Sequence, residues 1–294
     1  IEEMRRTALV TKDAHVAAMS ATRVGGHEKD IAWMFNSTIM RAGLTTAYDS
    51  IVTVDGHILH NFNQINSLQN GQLLLLDGGA ESMTGYATDV TRTWPVSGQF
   101  TNQQKAAYSA VLEAQKQAIN MIRCGVRYRK IHDTASLVIA EFLHQEKLLN
   151  ISPQEAVETG AHALFFPHGV GHLIGLDVHD MENFGDRASY PSHRSRSTQF
   201  GTAFLRLDLD LEENMVVTIE PGFYIVPAIL NDSSLRKQFQ HAIRWENLDK
   251  WADFGGIRIE DDVRCTNEEP EVITQMIVKE IEEIEELVGT SETF

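Results

Sequence analysis

Apolar residues recur at helical spacing in the first two stretches of the chain. Over residues 2 to about 23 the repeat is Met4, Ala8, Val10, Ala14, Ala17 and Ala18, with Glu2 and Glu3 in the first turn, where the helix dipole favours acids. A second helix is predicted over residues 28–41, with Ile31, Met34, Phe35 and Ile39 on one face and Gly43 as its stop. The period then shortens to two. Residues 50–54 and 57–62 flank Asp55-Gly56, a hairpin signature that puts His60 on the second arm. Residues 73–76 are all leucine and read as a buried strand ending at Asp77-Gly78-Gly79; residues 86–94 alternate as a returning strand stopped by Pro95.

Helical spacing resumes after that. Thr101 and Gln104 form a capping box for a helix reaching about residue 123, another is predicted over 129–148, and Pro153 opens a short third. Residues 215–219 are apolar and end in Glu220-Pro221-Gly222; residues 255–263 alternate as a second returning strand carrying Glu260, Asp261 and Asp262. The tail over 277–288 reads as an amphipathic helix whose Glu282, Glu283, Glu285 and Glu286 form a solvated face. Two polar stretches interrupt the pattern, an insertion over 226–253 and an irregular run over 181–210 with Arg187, His193, Arg194 and Arg196. A structureless run of that length is either a flap facing a substrate or a surface excursion.

One design therefore occurs twice: a buried strand ends in a carboxylate and glycine, and a later strand returns with another carboxylate. The pairs are Asp77 with Asp89 and Glu220 with Glu260. This predicts an α+β fold of two similar halves, with hairpins inside and helices outside.

Composition narrows the function. A chain of 294 residues that is 43% hydrophobic can build a large core without staples, and its two cysteines, Cys124 and Cys265, read as packing residues of a protein in a reducing, cytoplasmic compartment. A formal charge of −16 argues against nucleic acid, and no apolar run approaches the ~20 residues of a membrane span. No signal peptide is recognised. The chain opens at Ile1 without methionine, so an amino-terminal part of a longer protein is expected to be missing.

The strongest chemical signal is residues 165–180, FFPHGVGHLIGLDVHD, which hold His168, His172 and His179 among apolar residues and glycines. Acids converging from strand ends need protonation, arginine partners or bound cations, because unpaired buried carboxylates are strongly unfavourable. Arg92 and Arg258 each lie two or three residues from a strand acid, which would make the cluster a structural ion-pair network; that leaves the histidines without a purpose. Four carboxylates and one histidine instead suit two hard divalent cations, manganese first. A glycine-rich phosphate loop, a Gly-x-Ser-x-Gly elbow and a nucleophilic cysteine are all missing from the sequence, which favours metal-assisted hydrolysis.

The segments DGG, TDVTRTWPVSG, PHGVGHLIGLDVHD, TIEPGFY and GIRIEDDV, in this order, closely resemble the pita-bread metallopeptidases, in the branch of the Xaa-Pro aminopeptidases and prolidases. The resemblance runs from near residue 2 to about 288. It implies a curved antiparallel sheet in two pseudo-symmetric halves covered by helices, with residues 1–294 as the catalytic domain and the family's smaller amino-terminal domain absent. It also implies that Asp77 chelates one metal, that Asp89 and Glu260 bridge both, and that His172 and Glu220 complete the second. The two ions would be Mn2+, with Co2+ or Zn2+ as alternatives. Glu220 would act as general base and then acid. His179 and His60 match histidines that hydrogen-bond the substrate and its tetrahedral intermediate, His168 one lining the proline side, and Arg258 a partner of the metal carboxylates. The implied partners are proline-containing peptides and a second copy in a homodimer. A strict dipeptidase is the nearest alternative, and the Phe254 run and the long insertion look prolidase-like. Metal-free creatinase and ligand-free binding modules share the fold, but the intact ligand positions argue against both. Methionine aminopeptidase shares fold and ligands, and the DVHD and TDVTRT contexts fit the proline-specific branch better.

Overall fold

The computed structural model describes residues 1–291, and α1 (Glu2–Ala21) buries Met4, Ala8, Ala14 and Ala18 as their spacing predicts. Helix α2 (Glu28–Arg41) buries Ile31, Phe35 and Ile39, packs along α1, and ends before Gly43 in a left-handed conformation. Beneath them lies an antiparallel sheet. After the short ribbon strand β1 (Thr45–Thr46), it comprises β2 (Ile51–Thr53), β3 (Leu73–Asp77) and, following β4 (Ala80–Glu81), β5 (Thr91–Pro95), in the order β2-β3-β5. The register sets Asp77 opposite both Ile51 and Thr91.

Two expectations for this half are corrected. The hairpin at Asp55-Gly56 does not form: β2 pairs with β3, and residues 57–62 are a loop. The buried carboxylate of Glu28 captures the backbone amides of Val54 and Asn66 (both 2.8 Å), and Asn61 donates to the Thr53 hydroxyl (3.0 Å). Backbone groups that would pair across a hairpin are satisfied by side chains instead. The returning strand is also shorter than predicted. Residues 87 and 88 fold onto β4 and the loop at Gly175, which leaves Asp89 in irregular backbone before β5. Gly79 permits this, since a Cβ there would run into the Thr88 carbonyl.

The second half repeats the plan. Helix α3 (Asn102–Asn120) starts with the full capping box between Thr101 and Gln104, and packs against α4 (Tyr128–Gln145); α5 (Pro153–Thr159) follows with proline in its first turn. The stretch over 181–210 holds only short turns and α6 (Asp186–Ser189). Strands β6 (Val216–Ile219) and β7 (Gly222–Tyr224) come next, then the insertion with α7 (Pro227–Leu230) and α8 (Ser233–Gln238). The predicted strand over 255–263 is in fact two. Strand β8 (Gly256–Arg258) pairs with β7, whereas β9 (Asp261–Arg264) pairs with β6 and with β10 (Glu271–Val272). The switch falls at residues 259 and 260, where the Glu260 amide donates across to the Thr91 carbonyl of the first half (3.0 Å).

The last helix, α9 (Ile281–Leu287), is shorter than the tail pattern predicted. Glu282, Glu283 and Glu286 are exposed, but Glu285 turns inward to accept from the Phe100 amide (3.0 Å) and to pair with Lys105 (3.0 Å). Cys265 is fully buried and Cys124 half-buried, with their sulfurs 3.8 Å apart. Among the described residues no helix is long and apolar enough to cross a membrane. The observed class is α+β, with helices outside and antiparallel strands between.

Candidate metal centre

Four acids stand at the inner ends of strands. Asp77 closes β3, Asp89 precedes β5, Glu220 follows β6, and Glu260 occupies the break between β8 and β9. They meet around a cavity of about 950 Å³. His172 arrives on the loop after residue 164, positioned by Gly171, where any Cβ would strike Thr218 and Tyr128. The backbone there pairs with β6: the Thr218 amide donates to the His172 carbonyl (2.9 Å), and the His172 amide to the Thr218 hydroxyl (3.1 Å).

One ligand atom from each of Asp89, His172 and Glu260 lies within 4.8 Å of the other two, and all three residues are buried. The His172 Nδ1–H donates to the Leu173 carbonyl (3.0 Å), which leaves the Nε2 lone pair facing Asp89 (3.4 Å) and Glu220 (3.7 Å). That tautomer is the one a metal-binding imidazole needs. Asp77 and Asp89 share the Tyr48 hydroxyl, 2.6 Å from Asp77. Thr91 donates to Glu260 (2.7 Å).

Arg258 ties the acids to the histidine wall. It pairs with Asp77 (2.5 Å), and donates to Thr91 (3.1 Å) and to the Tyr224 hydroxyl (3.2 Å). Tyr224 in turn donates to His168 Nε2 (2.9 Å), because His168 Nδ1–H is committed to the Gly169 carbonyl (2.8 Å). His179 meets the His172 ring edge to face at 4.4 Å, and His60 stacks on Phe62 in the 57–62 loop.

Burial dominates the electrostatics. It pushes the Glu220 carboxyl up to about 7, with Asp89 and Asp77 adding to the rise and His172 and Arg258 opposing it. Glu260 is driven well above the carboxylate range by burial and then by Asp89 and Glu220; Asp77 is raised by burial despite Arg258. Burial also works against Asp89, but the His172 ring, when protonated, donates to it and with Tyr48 outweighs that, bringing it net below the usual value. His172 moves up, the loss of solvent being outweighed by Asp89 and Glu220. The other histidines move down: His168 to about 3, by burial and Arg258, and His179 to about 4, by burial and His172. His60 is lowered by burial first and Arg258 second. The acids outnumber the positive charge the chain supplies. A cluster of this kind, oxygen-rich with one imidazole, fits hard divalent cations.

The structure brings the nine residues expected at the site to this one cavity: Asp77, Asp89, His172, Glu220, Glu260, His60, His168, His179 and Arg258 all line it. Arg92 does not, since it pairs with Asp261 on the far side (2.8 Å). The irregular run over 181–210 lines the cavity through Glu182, Asp186, Arg196, Phe200, Phe204 and Arg206. Sequence reasoning missed Tyr48 and Tyr224. Tyr224 carried a usable signal, a tyrosine in a buried strand whose hydroxyl must find a partner; Tyr48 carried none.

Comparison with known proteins agrees with this geometry. Residues 2–267 match the model of metallopeptidase family M24. An Xaa-Pro dipeptidase of Stenotrophomonas maltophilia is 37% identical over 283 residues, covering 92% of this chain and 60% of that protein. A probable Xaa-Pro aminopeptidase of Botryotinia fuckeliana is 32% identical over 291 residues, covering 98% of this chain and 61% of that protein. Among solved structures, Pseudomonas aeruginosa aminopeptidase PepP superposes with a TM-score of 0.79 at 31% identity, over 97% of this chain and 57% of its own. Zinc-substituted Escherichia coli aminopeptidase P in complex with product gives 0.78 at 32% identity, with the same coverage. The chain thus spans about three fifths of the length of the curated relatives it matches. The likeness extends to the pita-bread arrangement of two halves.

Proposed function

The chain belongs to metallopeptidase family M24, and from that premise we propose that it hydrolyses the bond between an amino-terminal residue and a following proline. One observation carries the reading: Asp89, His172 and Glu260 present ligand atoms within 4.8 Å of one another, with Glu220 beside His172 and Asp77 linked to Asp89 through Tyr48. Asp77, Asp89, His172, Glu220 and Glu260 would hold two divalent ions, manganese by their oxygen-rich donor set, which when bound would supply a water of lowered pKa and polarise the scissile carbonyl.

Glu220 takes the proton of the attacking water and hands it to the leaving nitrogen. An Xaa-Pro bond has no N–H, so peptidases that must grip that hydrogen cannot use it, whereas an acid poised over the ring nitrogen needs no such grip. His179 and His60 donate to the substrate, and His168, its ring fixed by Gly169 and Tyr224, closes the proline side. Arg258 keeps Asp77 in place from behind. We also infer a homodimer, supported by Ile65, Met83 and Phe184, large apolar side chains left exposed outside the cavity lining; sedimentation at a single-chain mass would reject it.

The test is reconstitution. Manganese added to chelator-stripped protein should restore cleavage of an Xaa-Pro peptide and raise the melting temperature. If neither happens, the reading is wrong.

A further inference from the structure

Three arginines line the cavity, and each already faces a carboxylate of this chain. Arg258 is committed to Asp77, Tyr224 and Thr91. Arg196 pairs with Asp186 (2.6 Å) and donates to the carbonyls of Ala203 (3.2 Å) and Leu205 (2.6 Å). Arg206 gives Nη1 to both oxygens of Glu182 (2.8 and 2.7 Å), and among the described residues its Nε and Nη2 make no hydrogen bond. Among the described residues the lining holds no lysine, and seven acidic side chains stand against these three arginines.

Glu182 is placed to matter. It follows Met181, whose backbone is left-handed (φ +65°), and opens a short turn over Glu182–Phe184 that aims its carboxylate into the cavity. There it lies between Arg206 and His179, with Oε2 3.6 Å from His179 Nδ1.

The chemistry of the two substrate types differs at one point. In an Xaa-Pro dipeptide the carboxylate is carried by the carbon next to the leaving nitrogen, so it must enter the cavity with the scissile bond. In a longer peptide that position is a neutral amide. We propose that Glu182 determines substrate class: by offsetting the positive charge of Arg206 and setting its own charge beside His179, it disfavours a free carboxylate on the proline, so that peptides continuing past proline are preferred to dipeptides. This rests on the Xaa-Pro reading above. The names of the relatives fall on both sides and do not decide it.

The experiment uses the manganese-loaded chain and three substrates: an Xaa-Pro dipeptide, its carboxamide, and the Xaa-Pro-Xaa tripeptide. The carboxamide removes the charge without adding length. We expect kcat/KM for the carboxamide and the tripeptide to exceed that for the dipeptide by about tenfold or more, mostly through KM. Glu182→Gln keeps the shape, frees Arg206 and should narrow the ratio to about threefold or less; adding Arg206→Gln should widen it again. The same order should appear without turnover, as calorimetric binding of dipeptide and carboxamide to Glu220→Gln. A dipeptide cleaved as well as its carboxamide, or a ratio unmoved by Glu182→Gln, overturns the proposal. If none of the three is cleaved, the Xaa-Pro reading itself fails and takes the proposal with it.

Discussion

Two clusters of buried carboxylates lie back to back across residues 260 and 261. On one side Asp261 accepts from Arg92 (2.8 Å), Lys279 (2.6 Å), Gln115 (2.9 Å) and Thr274 (2.7 Å). Burial alone would raise its carboxyl; Arg92 and Lys279 outweigh that and hold it far below the usual range. On the other side Glu260 accepts from the Thr91 hydroxyl and faces Asp89, Glu220 and Asp77, and it is driven upward. Neighbouring residues of similar chemistry and burial thus differ in one respect, whether the chain itself brings the balancing cation. Where it does, the acid braces the fold. Where it does not, the acid is left to recruit a cation from outside.

That contrast can be broken from either side, most sharply at the open one. His172→Ala should cost turnover by about a thousandfold or more, the scale of losing a positioned catalytic group, and should also abolish the manganese-induced rise in melting temperature. His179→Ala should lose about 10²–10⁴ in kcat while keeping that rise. If His172→Ala kept the rise, the acid cluster would not be the metal centre.

On the closed side, Arg92→Met should destabilise the protein by about 3–5 kcal/mol in urea unfolding, because Asp261 loses a buried partner. Manganese should not rescue that variant's shortfall relative to wild type. Rescue would show that the two clusters are one. Adding manganese to the chelator-stripped wild type should give a smaller gain, about 2.7 kcal/mol at a hundredfold excess over Kd.

The smallest effect comes from buried imidazoles. His172, beside Asp89 and Glu220, is raised, whereas burial holds His15 and His132 down to about 3, helped by Arg92 and by His162 respectively. Between about pH 6.5 and 3 the unfolded chain binds protons at these two sites that the folded chain refuses. The contribution of these two sites to stability should therefore be constant above that window and fall as the pH drops through it, by about 1.4 kcal/mol per pH unit for each group. In His132→Gln the slope between pH 6.5 and 5 should be shallower; an unchanged slope would remove His132 from the account.

Much of this was legible beforehand because each signal was local. The leucine run before Asp77, the capping box at Thr101 and the periodicity of α2 depend on neighbours within a few residues, and all three formed as read. The failures share a different cause. The hairpin at Asp55-Gly56 lost its backbone groups to Glu28, and Glu285 left its solvated face for the Phe100 amide, both through partners far away in sequence. The strand over 255–263 broke because Glu260 answers to Thr91 in the other half. The site residues came largely from motif order. Tyr48, Glu182 and Arg206, which belong to no motif, required the folded cavity.

The stitch between the halves has a consequence for how the molecule comes into being. The Asp89 amide reaches Asp262 across 173 residues, and Thr91 reaches Glu260 across 169. Contacts that distant are slow to form, and a chain leaving the ribosome carries Asp77 and Asp89 long before Glu260 exists to join them. The carboxylate cluster is thus incomplete in the nascent chain until the second half has been made and docked.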